Sequence, residues 1–150
     1  MQWFNFVKGL ISDTEWGKQN YVDVLSQALE IQDLPNLEFI SFRDPIPVNF
    51  SSAKRVFSFD NFFNGGDSSH LTQVEDIISS SSEHDVCNIQ FTSGTTGNPK
   101  GACLTHHNIV NNIIVCGARL NTTENDVLLV NVPLYHCFGC VGASLAMAVQ

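Results

Sequence analysis

Thr92-Ser93-Gly94-Thr95-Thr96-Gly97-Asn98-Pro99-Lys100, followed by Gly101, is the stretch on which the reading of this chain turns. Four hydroxyl side chains in one short segment offer donors to anionic oxygens. Gly94 and Gly97 allow positive φ, so backbone N–H groups can turn inward and form a nest for an anion. Lys100 adds a positive charge that can meet a phosphate oxygen. Pro99 drives Asn98 toward extended backbone and keeps the segment out of helix. The competing reading is a serine/threonine/glycine turn that binds nothing.

The flanks fit a phosphate site. Val86-Cys87-Asn88-Ile89-Gln90-Phe91 alternates apolar and polar residues, the pattern of a half-buried strand. Thr105 is placed to cap a helix. Ile109, Ile113, Cys116 and Leu120 then recur at helical spacing, and Val110, Ile114 and Gly117 widen that face. Strand, Gly/Thr-rich loop and helix is the order of a phosphate site in an α/β fold. The loop is not a Walker loop, because its glycines stand closer together and Pro99 precedes the lysine.

Phe91 to Gly101, F-T-S-G-T-T-G-N-P-K-G, resembles the signature of the adenylate-forming (AMP-binding) superfamily. Leu104 to Asn112 resembles the helix that follows that loop in acyl-CoA synthetases, and Pro133-Leu134-Tyr135-His136-Cys137-Phe138-Gly139 resembles their next block. Gly66 to Leu71, Asn88 to Phe91 and, more loosely, Asn20 to Leu25 are similar to the medium-chain branch, mitochondrial in type. The resemblance implies an ATP-dependent ligase. A carboxylate attacks the α-phosphate of ATP, giving acyl-adenylate and pyrophosphate, and the thiol of coenzyme A then displaces AMP. It implies that Thr92, Ser93, Thr95 and Thr96 supply hydroxyls to the β- and γ-phosphates with Mg²⁺. Gly94 and Gly97 would supply close backbone approach and Lys100 charge, while Asn98 and Pro99 line the loop. His136 would border the acyl and adenylate pocket.

Three further family features do not occur in these 150 residues: a Y-G-x-T-E block, a T-G-D block whose Asp holds the ribose, and a C-terminal catalytic lysine. The expectation is therefore an incomplete N-terminal adenylation domain, α/β, with a largely parallel sheet and flanking helices, spanning 1–150 and lacking the small C-terminal domain. No catalytic residue is expected in it. The alternative is a truncated, inactive product that serves as a nucleotide-binding or interaction fragment.

Elsewhere, Phe6 to Ser12 reads as a strand, Lys18 to Ile31 as a helix and Leu37 to Phe42 as a strand buried on both faces. Phe57 to Phe63 fits either a strand end or a short helix. Leu71 to Ile78 reads as a helix with Leu71, Val74 and Ile78 toward the core. Residues 79–83 form a flexible Ser-rich linker. Asn121 to Asp126 is a turn, Val127 to Val132 a buried strand and Cys140 to Val149 a helix. Alternation of strands and helices favours parallel pairing.

The net charge of -8 argues against nucleic-acid binding, which needs basic patches. Small molecules (ATP, a fatty acid and CoA) are the expected partners. Five cysteines without a secretory signal read as reduced intracellular thiols. Cys137-Phe138-Gly139-Cys140 beside His136 tempts a zinc reading, but no second ligand pair stands at suitable spacing, and no metal site is expected. His106 reads as a capping or packing residue and His107 as exposed. No apolar run reaches membrane-spanning length. Met1 to Lys8 is aromatic-rich, lacks arginine and does not resemble a mitochondrial presequence, so the expectation of a mitochondrial location rests on resemblance alone.

Overall fold

A computed structural model describes residues 7–31, 34–43, 45–93 and 97–149, the last two without their side chains. The chain divides into two compact units, Met1–Glu75 and Asp76–Gln150.

The first unit is built on a three-stranded parallel sheet in the order β1-β4-β5. Strand β1 (Gly9–Ser12) pairs with β4 (Phe39–Phe42), which pairs on its other edge with β5 (Arg55–Ser58). The central strand carries the core, since Ile40, Ser41 and Phe42 are fully buried. Burying Ile40 and Phe42 is worth about 1.5–3 kcal/mol each. Leu25 and Leu37 complete the cluster, with Leu10, Val22 and Phe50 packed around it. Leu25 and Val22 come from α1 (Tyr21–Ile31). That helix starts three residues later than its periodicity suggests. Gln19–Asn20 (β3) instead pairs with Glu15–Trp16 (β2), and the Asn20 side chain caps α1 by accepting from the Asp23 N–H at 3.1 Å. The ambiguity over Phe57 to Phe63 resolves both ways. Strand β5 runs to Ser58, whose hydroxyl then caps α2 (Phe59–Phe63).

Helix α3 (Leu71–Ser80) forms as expected and takes in Ser79 and Ser80, but its apolar stripe is not core. Leu71, Val74 and Ile78 are all exposed, because no described residue gives that face an apolar partner. Beyond it, β6 (Val86–Thr92) and β7 (Lys100–Thr105) form an antiparallel ribbon. The register slips between Val86 and Asn88, leaving Cys87 as the extra residue of a bulge. The expected alternation is inverted in burial: Asn88 and Gln90 are half-buried while Ile89 and Phe91 are exposed. A ribbon of two strands has no second layer to cover its apolar side chains.

Strand β7 leads directly into α4 (His106–Leu120). Of its expected apolar face, Ile109, Ile113 and Gly117 are buried, whereas Val110, Ile114, Cys116 and Leu120 are exposed. Ile109 and Ile113 meet Val141 to form this unit's core. Asn121 ends α4 in left-handed backbone and opens the expected turn. The final helical stretch comprises α5 (Cys137–Gly139), a π-helical segment (Cys140–Leu145) and α6 (Ala146–Val149). Gly139 is required by space, since a Cβ there would lie 2.3 Å from the Pro133 carbonyl oxygen.

Val127 to Val132 is not a strand. It pairs with no described residue, and Val127 is 97% exposed. A strand buried on both sides needs hydrogen-bonding neighbours, and none of the described strands supplies them. Among the described residues, no helix is long and apolar enough to cross a membrane.

Candidate functional site

The β6–β7 ribbon fixes the two ends of the Gly/Thr loop. Phe91 faces Gly101, and Thr92 faces Lys100 in the last rung. The Thr92 hydroxyl donates to the Lys100 carbonyl oxygen at 3.4 Å, tying the ends together. Residues 93–99 therefore close a hairpin. Gly97 has φ +85°, and a Cβ there would meet nothing within 4 Å. Backbone conformation alone demands glycine at that position. Thr92, Ser93, Gly97, Asn98, Pro99 and Lys100 are all exposed to solvent. Gly94, Thr95 and Thr96, the middle of the expected site, lie outside the described residues.

Sequence reasoning put a helix straight after the loop. Strand β7 intervenes, and this changes which groups can hold an anion. Its six residues place the start of α4 about 17 Å from the loop, at the opposite end of the ribbon. The first amides of α4 are also engaged: His106 N–H donates to the Asp85 carbonyl at 3.3 Å and His107 N–H to the Glu83 carbonyl at 2.8 Å. The helix terminus is thus not placed to meet an anion at the loop. Among the described residues, the side-chain donors at the loop include the Ser93 hydroxyl and the Lys100 ammonium, while the Thr92 hydroxyl is engaged with the Lys100 carbonyl. Among the described residues, no ion pair involves Lys100.

Thr105 caps α4 as expected, in a reciprocal arrangement. Its hydroxyl accepts from the Asn108 N–H at 3.1 Å, and its own N–H donates to the Asn108 side chain at 3.1 Å.

His136 is exposed and serves as a cap. Its Nδ1 accepts from the Phe138 N–H at 3.1 Å and stands 3.7 Å from the Cys137 thiol. An open cleft of about 650 Å³ runs beside it, lined by Leu104, Asn108, Ile109, Cys137, Phe138 and Val141. His136 itself is not on that lining. Cys137 and Cys140 are both free thiols.

The sequence profile described as "AMP-binding enzyme" matches residues 19–150. A relative from Danio rerio, the mitochondrial medium-chain acyl-CoA ligase ACSF2, is 37% identical over 153 aligned positions, covering 93% of this chain and 24% of its own. Its Homo sapiens counterpart is 38% identical over 154 positions, with 92% and 24% covered. The acyl-CoA ligase sidI of Aspergillus fumigatus is 60% identical over 66 residues, which are 44% of this chain and 11% of that protein. The chain spans about a quarter of the length of the ACSF2 relatives. Among solved structures, the adenylation domain of a keto acid-selecting NRPS module superposes with a TM-score of 0.55 at 15% identity. That match covers 95% of this chain and 30% of the other, and it shows a shared α/β fold. With its profile match running from residue 19 to residue 150, the chain belongs to the AMP-binding enzyme family.

Proposed function

We propose that this chain carries the ATP-phosphate-binding element of an acyl-CoA ligase acting on medium-chain fatty acids. The observation that carries the reading is the hairpin loop, whose described residues are exposed, whose exit residue Lys100 has no ion-pair partner among the described residues and whose Gly97 holds positive φ. In this reading Ser93, Thr95 and Thr96 donate to the β- and γ-phosphates, and Thr92 joins them by turning its hydroxyl proton from the Lys100 carbonyl to the anion. Gly94 and Gly97 let backbone amides approach, Asn98 and Pro99 shape the turn, and Lys100 meets the charge that builds on departing pyrophosphate. No carboxylate lies among residues 92–100, so Mg²⁺ would arrive on the phosphate oxygens. His136 borders the acyl and adenylate pocket. Coenzyme A is the acceptor of the acyl group, and the setting is mitochondrial, as in the names of the ACSF2 relatives.

The test is a titration of the chain with MgATP, followed by amide and side-chain NMR. Shifts should concentrate at Thr92, Ser93, Gly97 and Lys100. Saturable binding that leaves these residues unmoved, or no binding at all, overturns the assignment. Turnover is tested separately. The 150 residues alone should give no ATP–pyrophosphate exchange with octanoate, whereas a protein of the relatives' length carrying them should give it.

A further inference from the structure

We propose that Glu83, His84 and His107 form a binding site for a divalent transition-metal ion, distinct from the nucleotide's Mg²⁺. Each of the three residues offers one ligand atom, and these atoms lie within 4.8 Å of one another. The Glu83 carboxylate oxygen Oε1 is 3.4 Å from His84 Nε2 and 3.8 Å from His107 Nδ1. A tetrahedral ion with bonds of about 2.0–2.1 Å holds its ligand atoms about 3.3 Å apart. Two edges of the triangle therefore already stand within about half an ångström of that requirement. The two imidazole rings have centroids 5.4 Å apart and are tilted by 37°. Small rotations of exposed side chains close the third edge.

The backbone beneath is fixed from both sides. His107 N–H donates to the Glu83 carbonyl at 2.8 Å, and His106 N–H to the Asp85 carbonyl at 3.3 Å. The turn is itself closed by Ser82 N–H donating to Asp85 Oδ2 at 2.7 Å and by His84 N–H donating to the Ser82 hydroxyl at 3.2 Å. Three ligands from two segments, 23 residues apart in sequence, are thus held together before any ion binds. Those backbone bonds also occupy the first amides of α4, which would otherwise turn bare N–H groups toward a cation. Two imidazoles and one carboxylate suit Zn²⁺ or Ni²⁺ rather than Mg²⁺ or Ca²⁺, which take all-oxygen sets. Three protein ligands leave a fourth position for water. The bound ion would staple the start of β6 to the start of α4, at the end of the ribbon remote from Lys100.

The test is calorimetric titration of the reduced 150-residue chain with NiCl₂. One ion per chain should bind, and affinity should fall at least about tenfold in His84→Ala and in His107→Ala. Glu83→Gln should weaken binding in the same direction, and His106→Ala should leave it unchanged. Circular dichroism checks that each variant is folded, and Glu83→Gln decides the case if a histidine variant is not. Chain with alkylated cysteines should bind as well as the untreated chain, which separates this site from thiol binding. Absence of saturable binding, insensitivity to the Glu83, His84 and His107 substitutions, or loss of binding on alkylation overturns the proposal.

Discussion

Thr92 and Lys100 face each other across the last rung of the β6–β7 ladder, with the Thr92 hydroxyl donating to the Lys100 carbonyl. The lysine's backbone is therefore fixed by the ribbon while its ammonium remains exposed at the mouth of the loop. Removing a charge held that way should cost the fold little and, in the proposed phosphate site, a bound anion a great deal.

Lys100→Ala should weaken MgATP binding roughly 10- to 100-fold, the loss of one charge-assisted hydrogen bond. The melting temperature should move by no more than about 1–2 °C, as expected for a substitution worth less than about 0.5 kcal/mol at an exposed site. Calorimetry and thermal melting of the same preparations check both halves. Equal affinity in the two chains would remove Lys100 from the site.

Thr105→Ala should destabilise by about 1 kcal/mol, because it strips the N-cap acceptor from α4. Thr105→Ser, which keeps the hydroxyl, should recover most of the loss. Urea midpoints of the three chains give the comparison.

Ser41→Ala should stabilise. The Ser41 hydroxyl is fully buried in the central strand and finds no hydrogen-bond partner among the described residues. Replacing it by a methyl group removes an unmet donor at a gain of about 1 kcal/mol. The melting temperature should rise by about 2–4 °C. A fall would mean that the hydroxyl has a partner after all.

Asp67 caps the turn Ser68–His70 and accepts hydrogen bonds from the Ser69 hydroxyl and from the Ser69 backbone N–H. These two bonds, the hydroxyl's first, hold its carboxyl below the ordinary 3.8. A depressed carboxylate lends stability that is present above about pH 4 and is lost as pH falls through the lowered value. NMR titration should show the Asp67 midpoint moving up toward 3.8 in Ser69→Ala.

What could be read in advance was what local chemistry decides. Thr105 announced the start of α4, and Asn121 and Gly97 announced turns, because caps and positive φ depend on a few adjacent atoms. The central strand was legible because Phe39, Ile40 and Phe42 crowd one short run, although Glu38 is exposed and the strand begins only at Phe39. Strand β7 was missed because Lys-Gly-Ala-Cys-Leu-Thr carries weak strand preference, and its ladder comes from β6 instead. The stripe Leu71, Val74, Ile78 was read as core because periodicity marks an apolar face without saying what meets it. Glu83, His84 and His107 could not be grouped from sequence, since only the backbone bonds between the turn and α4 bring them together.

The run Val127-Leu128-Leu129-Val130-Asn131-Val132, outside every sheet of the described residues, leaves a line of apolar side chains bare to solvent. Six residues rich in branched side chains, with no charge and no proline, have the composition that favours pairing with other extended peptides. Copies of the chain should therefore associate through this segment as concentration rises, which light scattering reads. Replacing Leu129, 84% exposed, with lysine would blunt that tendency with no loss of core.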